Sequence, residues 1–506
     1  MKNPKIATFL ASLLLATPVA ADPLPNIIFV LIDDQGWGDM GYNGHPHILT
    51  PNIDTMASSG IRFDRFYAGA STCSPSRAAM LIGRSNRRVN IGSPMSRGQG
   101  SMPREEVTLP IFLRSKGYHS AQFGKWHVGE LQDDPTNIHR YTPGMAGFDY
   151  WVTTRNVLPT RDPYTSGKYI DDFYWDNGSY ISQATQAALA VRPGSEPGVD
   201  TIYREDLEGD DSRIVMDQAL RYLETRVTSS QPFFAHICLH AMHTPLVKQT
   251  ETAGPYETAG LDNKLVIYFS NVTAIDVQVG RLRSWLQTNG LANNTMLWLF
   301  SDNGPNIKSG NPVHVSPTDP NFTYTQTGSS GPYKGKKGQL HEGGIRVPGV
   351  LEWPAFIPTG FSTDYPVGMI DLVPTILDLV GIAPAEFLPP GRIFDGISVR
   401  PVLEGTTGLR RPTALPFKND GWQALIHHDY KIVKPKGSDI WELYDVESDP
   451  YETTQLQDVE TAKFAELLLV NCFLRPGFLE AEGPGKVGVQ TSNHSIPVQD
   501  GGHRQR

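Results

Sequence analysis

Three continuously apolar runs constrain this chain more than any other feature: Asn26–Ile32 (NIIFVLI), Phe233–Leu239 (FFAHICL) and Met296–Phe300 (MLWLF). A run without polar alternation is what a strand buried on both faces requires. Tyr118–Phe123 is a weaker fourth run and Val347–Leu351 a further candidate. Between them, Leu109–Lys116, Asp211–Arg226 and Leu265–Thr288 carry apolar residues at helical spacing. This alternation predicts an α/β fold, a large mostly parallel sheet sandwiched by helices. From about Pro401 the texture changes. Gly421–Val433 and Ile440–Asp445 read as short antiparallel strands joined by a turn over Lys434–Ser438, which places a smaller α+β subdomain there.

The first residues read as an export signal. Lys2 and Lys5 precede the apolar run Ala7–Leu15, which is too short to span a bilayer, and Val19-Ala20-Ala21 offers small residues for cleavage. The expected organisation is therefore a signal peptide over residues 1–21, a main domain over 22–400, a C-terminal subdomain over 401–482 and a polar, Gly-rich tail over 483–506. No other stretch is apolar enough for a membrane helix, so the protein is expected to be exported, periplasmic or secreted. The formal charge is −9, and more negative once Lys2 and Lys5 are removed. With no basic stripe, nucleic acid is excluded as a partner. Only Cys73, Cys238 and Cys472 are present, an odd count that cannot be fully paired. Cys238 lies in an apolar run and reads as core, which leaves Cys73 free for chemistry.

The polar residues that follow the strands carry the functional signal. NIIFVLI runs into Asp33-Asp34, and MLWLF runs into Ser301-Asp302-Asn303-Gly304. The strand near Phe123 leads to Lys125 and His127, and FFAHICL leads to His240 and His243. Open α/β sheets bind ligands outside the carboxyl ends of their strands. Asp33-Asp34 alone fits a helix cap and Asp302-Asn303 alone an Asx turn. Together at two strand ends, these oxygen donors favour a hard cation such as Ca²⁺ or Mg²⁺ over zinc. Lys125 offers a point charge to an anionic group, and His127, two residues on in an extended segment, points the same way and can move protons near neutral pH. His240 reads as a structural hydrogen-bonder. Cys73-Ser74-Pro75-Ser76-Arg77 suits a helix start, with Pro75 in the first turn, Cys73 at the positive end and Arg77 one turn on. A lone cysteine is also a small buried hydrophobe, and from these five residues alone both readings stand.

Taken together, the motifs PNIIFVLIDDQGWGD, TPNIDTMASSGIRFDRFYAGASTCSPSRAAMLIGR, GYHSAQFGKWHVG, FFAHICLHAMHTPL, LFSDNG and GKKGQLHEGGIRVPGVLEWP resemble those of the type I sulfatases of the alkaline-phosphatase-like superfamily. The resemblance covers nearly all of the expected mature chain. It implies that Cys73 is converted by a formylglycine-generating or sulfatase-maturing enzyme to formylglycine, an aldehyde. One hydroxyl of its hydrate attacks the sulfate sulfur and the other then expels sulfate, restoring the aldehyde. It also implies that Asp33, Asp34, Asp302 and Asn303 hold one Ca²⁺, with the residue at position 73 completing the shell. Arg77 would hold the hydrate, and Lys125 and Lys337 would bind sulfate oxygens. His243 would protonate the leaving oxygen and His127 would be the base for sulfate release. Lys337 is selected over Lys334 and Lys336 by its spacing from Glu342-Gly343-Gly344. His341 departs from the family pattern, where an aromatic residue is common.

The substrate expected from this resemblance and from export is a sulfated saccharide, a glycosaminoglycan or an algal polysaccharide. Its sugar contacts would come from the variable stretch Thr153–Asp210 and its surroundings, with Arg155, Arg161, His139 and Tyr169 as candidates. Two alternatives differ in class: a phosphonate monoester or phosphodiester hydrolase on the same scaffold, and a non-catalytic sulfated-glycan-binding protein whose Cys73 stays a thiol.

Overall fold

The strand β1 (Asn26–Ile32) shows how the sequence sets the architecture: Ile27, Phe29 and Leu31 enter one hydrophobic core, Ile28, Val30 and Ile32 the other. Successive side chains of a strand point to opposite faces, so a strand apolar throughout must be covered on both. The computed structural model describes residues 23–131, 136–163, 208–307 and 328–473, with the short strands Trp175–Asp176 and Ser179–Tyr180. The expected signal peptide, Tyr169, much of the variable stretch and the polar tail lie outside the described residues.

The centre of the sheet runs β6-β5-β1-β4-β2-β3, where β2 is His119–Lys125, β3 Tyr150–Thr154, β4 Phe233–Cys238, β5 Thr295–Ser301 and β6 Gly349–Glu352. The five strands β5, β1, β4, β2 and β3 are mutually parallel. The edge candidate at Val347–Leu351 is a strand, but β6 pairs antiparallel with β5. Ile61–Phe63 and Phe361–Thr363 extend that edge.

Helix α1 (Cys73–Ile82) packs on one face through Ala78, Met80, Leu81 and Ile82. On the other face lie α2 (Asp211–Glu224) and α3 (Asn263–Thr288). Asp210 starts α2 by accepting from the backbone N–H groups of Ser212 and Arg213, at 2.9 and 3.2 Å, a side-chain cap. No helix among the described residues is long and apolar enough to cross a membrane.

The C-terminal sheet has four antiparallel strands, β7 (Leu415–Asn419), β8 (Trp422–His427), β9 (Tyr430–Lys434) and β10 (Glu442–Asp445). Strand β7 went unread in the sequence, although Asp420-Gly421 is a hairpin signal and both residues have positive φ, 40° and 88°. Leu425, Ile432 and Leu443 pack with Leu467 of α4 (Thr461–Phe473). Ala424, Ile426 and Val433 pack with Tyr67, Ala79, Leu340, Ile345 and Ile370. Ala79 belongs to α1, so this sheet braces the helix that begins at Cys73.

A buried charge cluster makes the same connection. Lys431 of β9 donates to Glu342 Oε1 at 2.8 Å and lies 3.0 Å from Glu452 Oε1. Glu342 Oε2 accepts from the Tyr67 hydroxyl at 2.9 Å. All four residues are buried. Removing one member of such a cluster leaves uncompensated charge in a low-dielectric interior. Lys431→Met is therefore expected to lower the free energy of unfolding by about 3–5 kcal/mol, measured by denaturant titration; a loss below 1 kcal/mol would contradict this account.

Candidate active site

The register of β1 on β5 assembles the first part of the site. Ile32 lies beside Ser301, so Asp33-Asp34 and Asp302-Asn303 leave the sheet side by side. Asp34 turns with a φ of 59°, and its backbone N–H donates to Asp302 Oδ1 at 3.2 Å. Asn303 Nδ2 donates to Asp34 Oδ1 at 2.8 Å and to the Gly304 carbonyl at 2.9 Å. Its Oδ1 is buried and accepts no hydrogen bond. Gly304 permits the next segment to close in, since a Cβ there would lie 2.1 Å from the Gly343 carbonyl oxygen.

Helix α1 brings in Cys73 and Arg77. Cys73 Sγ lies 3.6 Å from Asp33 Oδ1. One ligand atom each from Asp33, Asp34, Asp302 and Cys73 falls within 4.8 Å of the others. Burial, reinforced by the Asp33 charge, pushes the Cys73 thiol up to about 12. Arg77 reaches past the thiol: its Nε and Nη2 both lie 2.9 Å from Asp302 Oδ2, and Nη1 donates to the Lys125 carbonyl at 2.9 Å. Arg77 Nη2 is also 3.6 Å from Asp33 Oδ2.

The lysines sort themselves by geometry. Lys125 pairs with Asp33 Oδ2 in the interior, and Lys337 lies 2.6 and 2.7 Å from the two carboxylate oxygens of Asp34. Lys334 instead donates to the Tyr444 hydroxyl and Lys336 to the Ile307 carbonyl, each at 2.8 Å. Three carboxylates, Asp33, Asp34 and Asp302, thus face three cations, Arg77, Lys125 and Lys337. Burial alone would push the Asp33 carboxyl up, but Lys125, His243, Arg77 and Lys337 together hold it well below the usual carboxylate range.

Two histidines face this cluster with their ring protons assigned by their partners. His127 Nε2 lies 3.0 Å from the Met95 carbonyl, so that nitrogen carries the proton and the buried Nδ1, which has no hydrogen-bond partner, keeps a lone pair. Burial and the Lys125 and Arg77 charges hold His127 well below the usual histidine range. Strand β2 has ended by His127, whose φ is 58°, so strand alternation does not orient it. His243 Nδ1 lies 2.6 Å from the Thr244 carbonyl, which turns Nε2 towards Asp34 Oδ2 at 3.9 Å. Burial lowers its pKa, partly offset by Asp33 and Asp34. His240 sits between Asp211 (2.6 Å) and Thr154 (2.7 Å), a structural pairing as expected.

The candidate sugar contacts have partners of their own. Arg161 forms a two-pronged pair with Glu251 at 2.6 and 3.0 Å, and His139 Nδ1 accepts from the Gly100 N–H at 3.0 Å. Arg155 lies 3.7 Å from Glu130, and its carbonyl accepts from the His127 N–H at 2.9 Å. The His341 ring is held by Glu442 at 2.9 Å and packs edge-on to Trp422 and Tyr444. The sequence reading missed the Met95 carbonyl, a backbone group without a residue-type signature. It also missed Asn419, whose side chain bonds Thr72 and the Gly338 carbonyl.

The cluster combines hard oxygen donors for a cation, cations for an anion, and two histidines for protons. The model for the family described as Sulfatase matches residues 25–382, and that for "N-sulphoglucosamine sulphohydrolase, C-terminal" matches residues 335–469. The chain is 29% identical over 442 residues to the N-acetylgalactosamine-6-sulfatase of Canis lupus familiaris, covering 83% of this chain and 73% of that protein. It is 32% identical over 405 residues to Arylsulfatase G of Mus musculus, covering 76% and 70%. The crystal structure of Ps i-CgsB in complex with k-i-k-neocarrahexaose shares the fold, with a TM-score of 0.72 at 24% identity over 88% of this chain and 91% of that one.

Arg77 joins α1, β2 and β5 through a planar fork that a lysine cannot reproduce. Arg77→Lys is expected to lower unfolding stability by about 1–3 kcal/mol through the unpaired Lys125 carbonyl and the weakened hold on Asp302. A urea titration checks this, and unchanged stability would refute it.

Proposed function

The chain belongs to the sulfatase family, and on that premise we propose that it removes sulfate from a carbohydrate outside the cytoplasm, using a formylglycine made from Cys73 and one bound Ca²⁺. The observation that carries this reading is the condition of Cys73. It is buried at the start of α1, with Sγ 3.6 Å from Asp33 Oδ1 and grouped with the carboxylates of Asp34 and Asp302. Its surroundings converge on it with carboxylates, cations and histidines. A residue so placed suits a precursor of the reacting group.

Asp33, Asp34, Asp302 and Asn303 would hold the Ca²⁺: all offer hard oxygens, and Asn303 Oδ1 is buried with no other partner. Bound there, the ion supplies a fixed positive charge that polarises the sulfate. The formylglycine supplies an oxygen nucleophile that each turnover restores. The chain's own side chains do the rest. Lys125 and Lys337 bind sulfate oxygens where negative charge grows as the S–O bond breaks. Arg77, fixed by Asp302 and the Lys125 carbonyl, orients the residue at position 73.

The two histidines divide the proton work. His243 presents Nε2 to the cluster and delivers a proton to the departing alcohol oxygen from its imidazolium form, which Asp33 and Asp34 favour against the burial that lowers its pKa. His127 stays neutral and offers the free Nδ1 lone pair, which takes up the proton when sulfate is released.

A glycosaminoglycan or a sulfated algal polysaccharide is the proposed substrate class. Similarity to a protein named N-acetylgalactosamine-6-sulfatase and to a fold crystallised with a neocarrahexaose supports it. The test is sulfate release from defined sulfated oligosaccharides by protein co-expressed with a formylglycine-generating enzyme. Activity is expected for the wild type and is lost in Cys73→Ala, and the peptide containing residue 73 should carry an aldehyde in the active protein. Faster turnover of a phosphonate monoester, or of steroid and lipid sulfates without saccharides, would overturn the reading. A second measurement isolates the proton donor. His243→Ala is expected to lose about 10²–10⁴-fold on a sugar sulfate but far less on 4-nitrophenyl sulfate, whose phenolate departs without protonation. Equal losses on the two would remove His243 from that role.

A further inference from the structure

The C-terminal sheet sends one side chain to the rim of this site. Asn419, the last residue of β7, is buried between two segments that do not otherwise belong to its sheet. Its Oδ1 accepts from the Thr72 hydroxyl, and its Nδ2 donates to the Gly338 carbonyl at 3.3 Å. Thr72 precedes Cys73 and Gly338 follows Lys337. The Gly338 N–H donates in turn to the Ser71 carbonyl at 2.8 Å. These bonds close a ring through Ser71-Thr72, Asn419 and Gly338.

The local chemistry of Thr72 sharpens the point. Thr72 is the N-cap of α1, with extended φ and ψ of −148° and 158°, yet its hydroxyl caps no amide of the helix. A threonine in this position ordinarily accepts, through its side-chain oxygen, from the backbone N–H groups of the first turn. Here the hydroxyl is committed across the site to Asn419. Asn419 is itself held from behind. The next residue, Asp420, donates its N–H to the Gly92 carbonyl at 2.6 Å and pairs with Lys436 at 2.7 Å. The preceding Lys418 carbonyl accepts from Asn86 Nδ2 at 2.8 Å.

We propose that Asn419 is a positioning residue: by tying Thr72 to Gly338 it sets the separation between Cys73 and Lys337 across the bound sulfate. The inference rests on the function proposed above, since it concerns the nucleophile and one sulfate-binding lysine of that reaction. Loss of the clamp lets the two segments drift, and displacements near 1 Å can lower rate by up to about 100-fold.

The experiment uses the full chain co-expressed with a formylglycine-generating enzyme, as Asn419→Ala, Thr72→Val, their double and Thr72→Ser. Kinetics on 4-nitrophenyl sulfate are corrected for the converted fraction of residue 73, read by mass spectrometry. Each of Asn419→Ala and Thr72→Val is expected to lose about 10- to 100-fold in kcat with KM nearly unchanged. The double variant should lose no more than either single one, because both break the same link, and Thr72→Ser should recover most of the loss. Hydrogen exchange of peptides 71–77 and 335–341 should speed up together in Asn419→Ala. Wild-type kcat in folded, converted Asn419→Ala, multiplying losses in the double variant, or a Thr72→Ser as impaired as Thr72→Val would each overturn the clamp. If Asn419→Ala does not fold, Thr72→Val applies the same test from the other side. Should the wild type release no sulfate, the functional reading falls by itself. The linked exchange of the two peptides then decides the clamp, and unchanged exchange refutes it.

Discussion

The parallel pairing of β1 with β5, with Ile32 beside Ser301, is the constraint on which the site depends. It brings three buried carboxylates within a few ångströms of one another, an arrangement that repels itself in a low-dielectric interior. The repulsion is met by Arg77 from a helix, Lys125 from a second strand and Lys337 from a distant loop. None of these cations is local in sequence to the carboxylate it meets. The charge balance therefore exists only when sheet, helix and loop are all in place. A slip of one residue between β1 and β5 would send alternate side chains to the wrong core, which ties electrostatics to packing.

The C-terminal sheet acts on this centre in two ways. Through Ala424, Ile426 and Val433 it supplies apolar backing to Tyr67, Ala79 and Ile345. Through Lys431 and Glu342 it anchors the segment that begins at Lys337 and ends against Gly304. The His341 ring, held by Glu442, belongs to this anchoring. A sheet remote from the central strands in sequence is thus a structural neighbour of α1.

Much of this was legible in the chain because continuous apolar runs announce buried parallel strands and so point to the polar residues at their ends. Asp33, Asp34, Lys125, Asp302 and Asn303 were found by that route, and the structure gathers them. The choice among Lys334, Lys336 and Lys337 needed the family resemblance, since a basic run has no internal mark of which ammonium turns inward. His127 faces the same charges as Lys125, but its positive φ ends the strand there, so strand alternation is not what places it. Strand β7 and Asn419 escaped notice although Asp420-Gly421 signals a hairpin, and the Met95 carbonyl could not be seen at all. Contacts made by backbone groups, or between residues hundreds of positions apart, leave no local pattern to read.

The burial of Cys73 carries a consequence for the life history of the molecule. With 1% of its surface exposed, and salt-bridged side chains around it, it offers almost no surface to another protein once the chain has folded. Under the proposed function, whatever oxidises it must therefore meet an open polypeptide, ahead of the closing of sheet and helix. Chains that win the race to fold first would be sound in structure and permanently silent. The active fraction of a preparation would then record the timing of its synthesis rather than its stability.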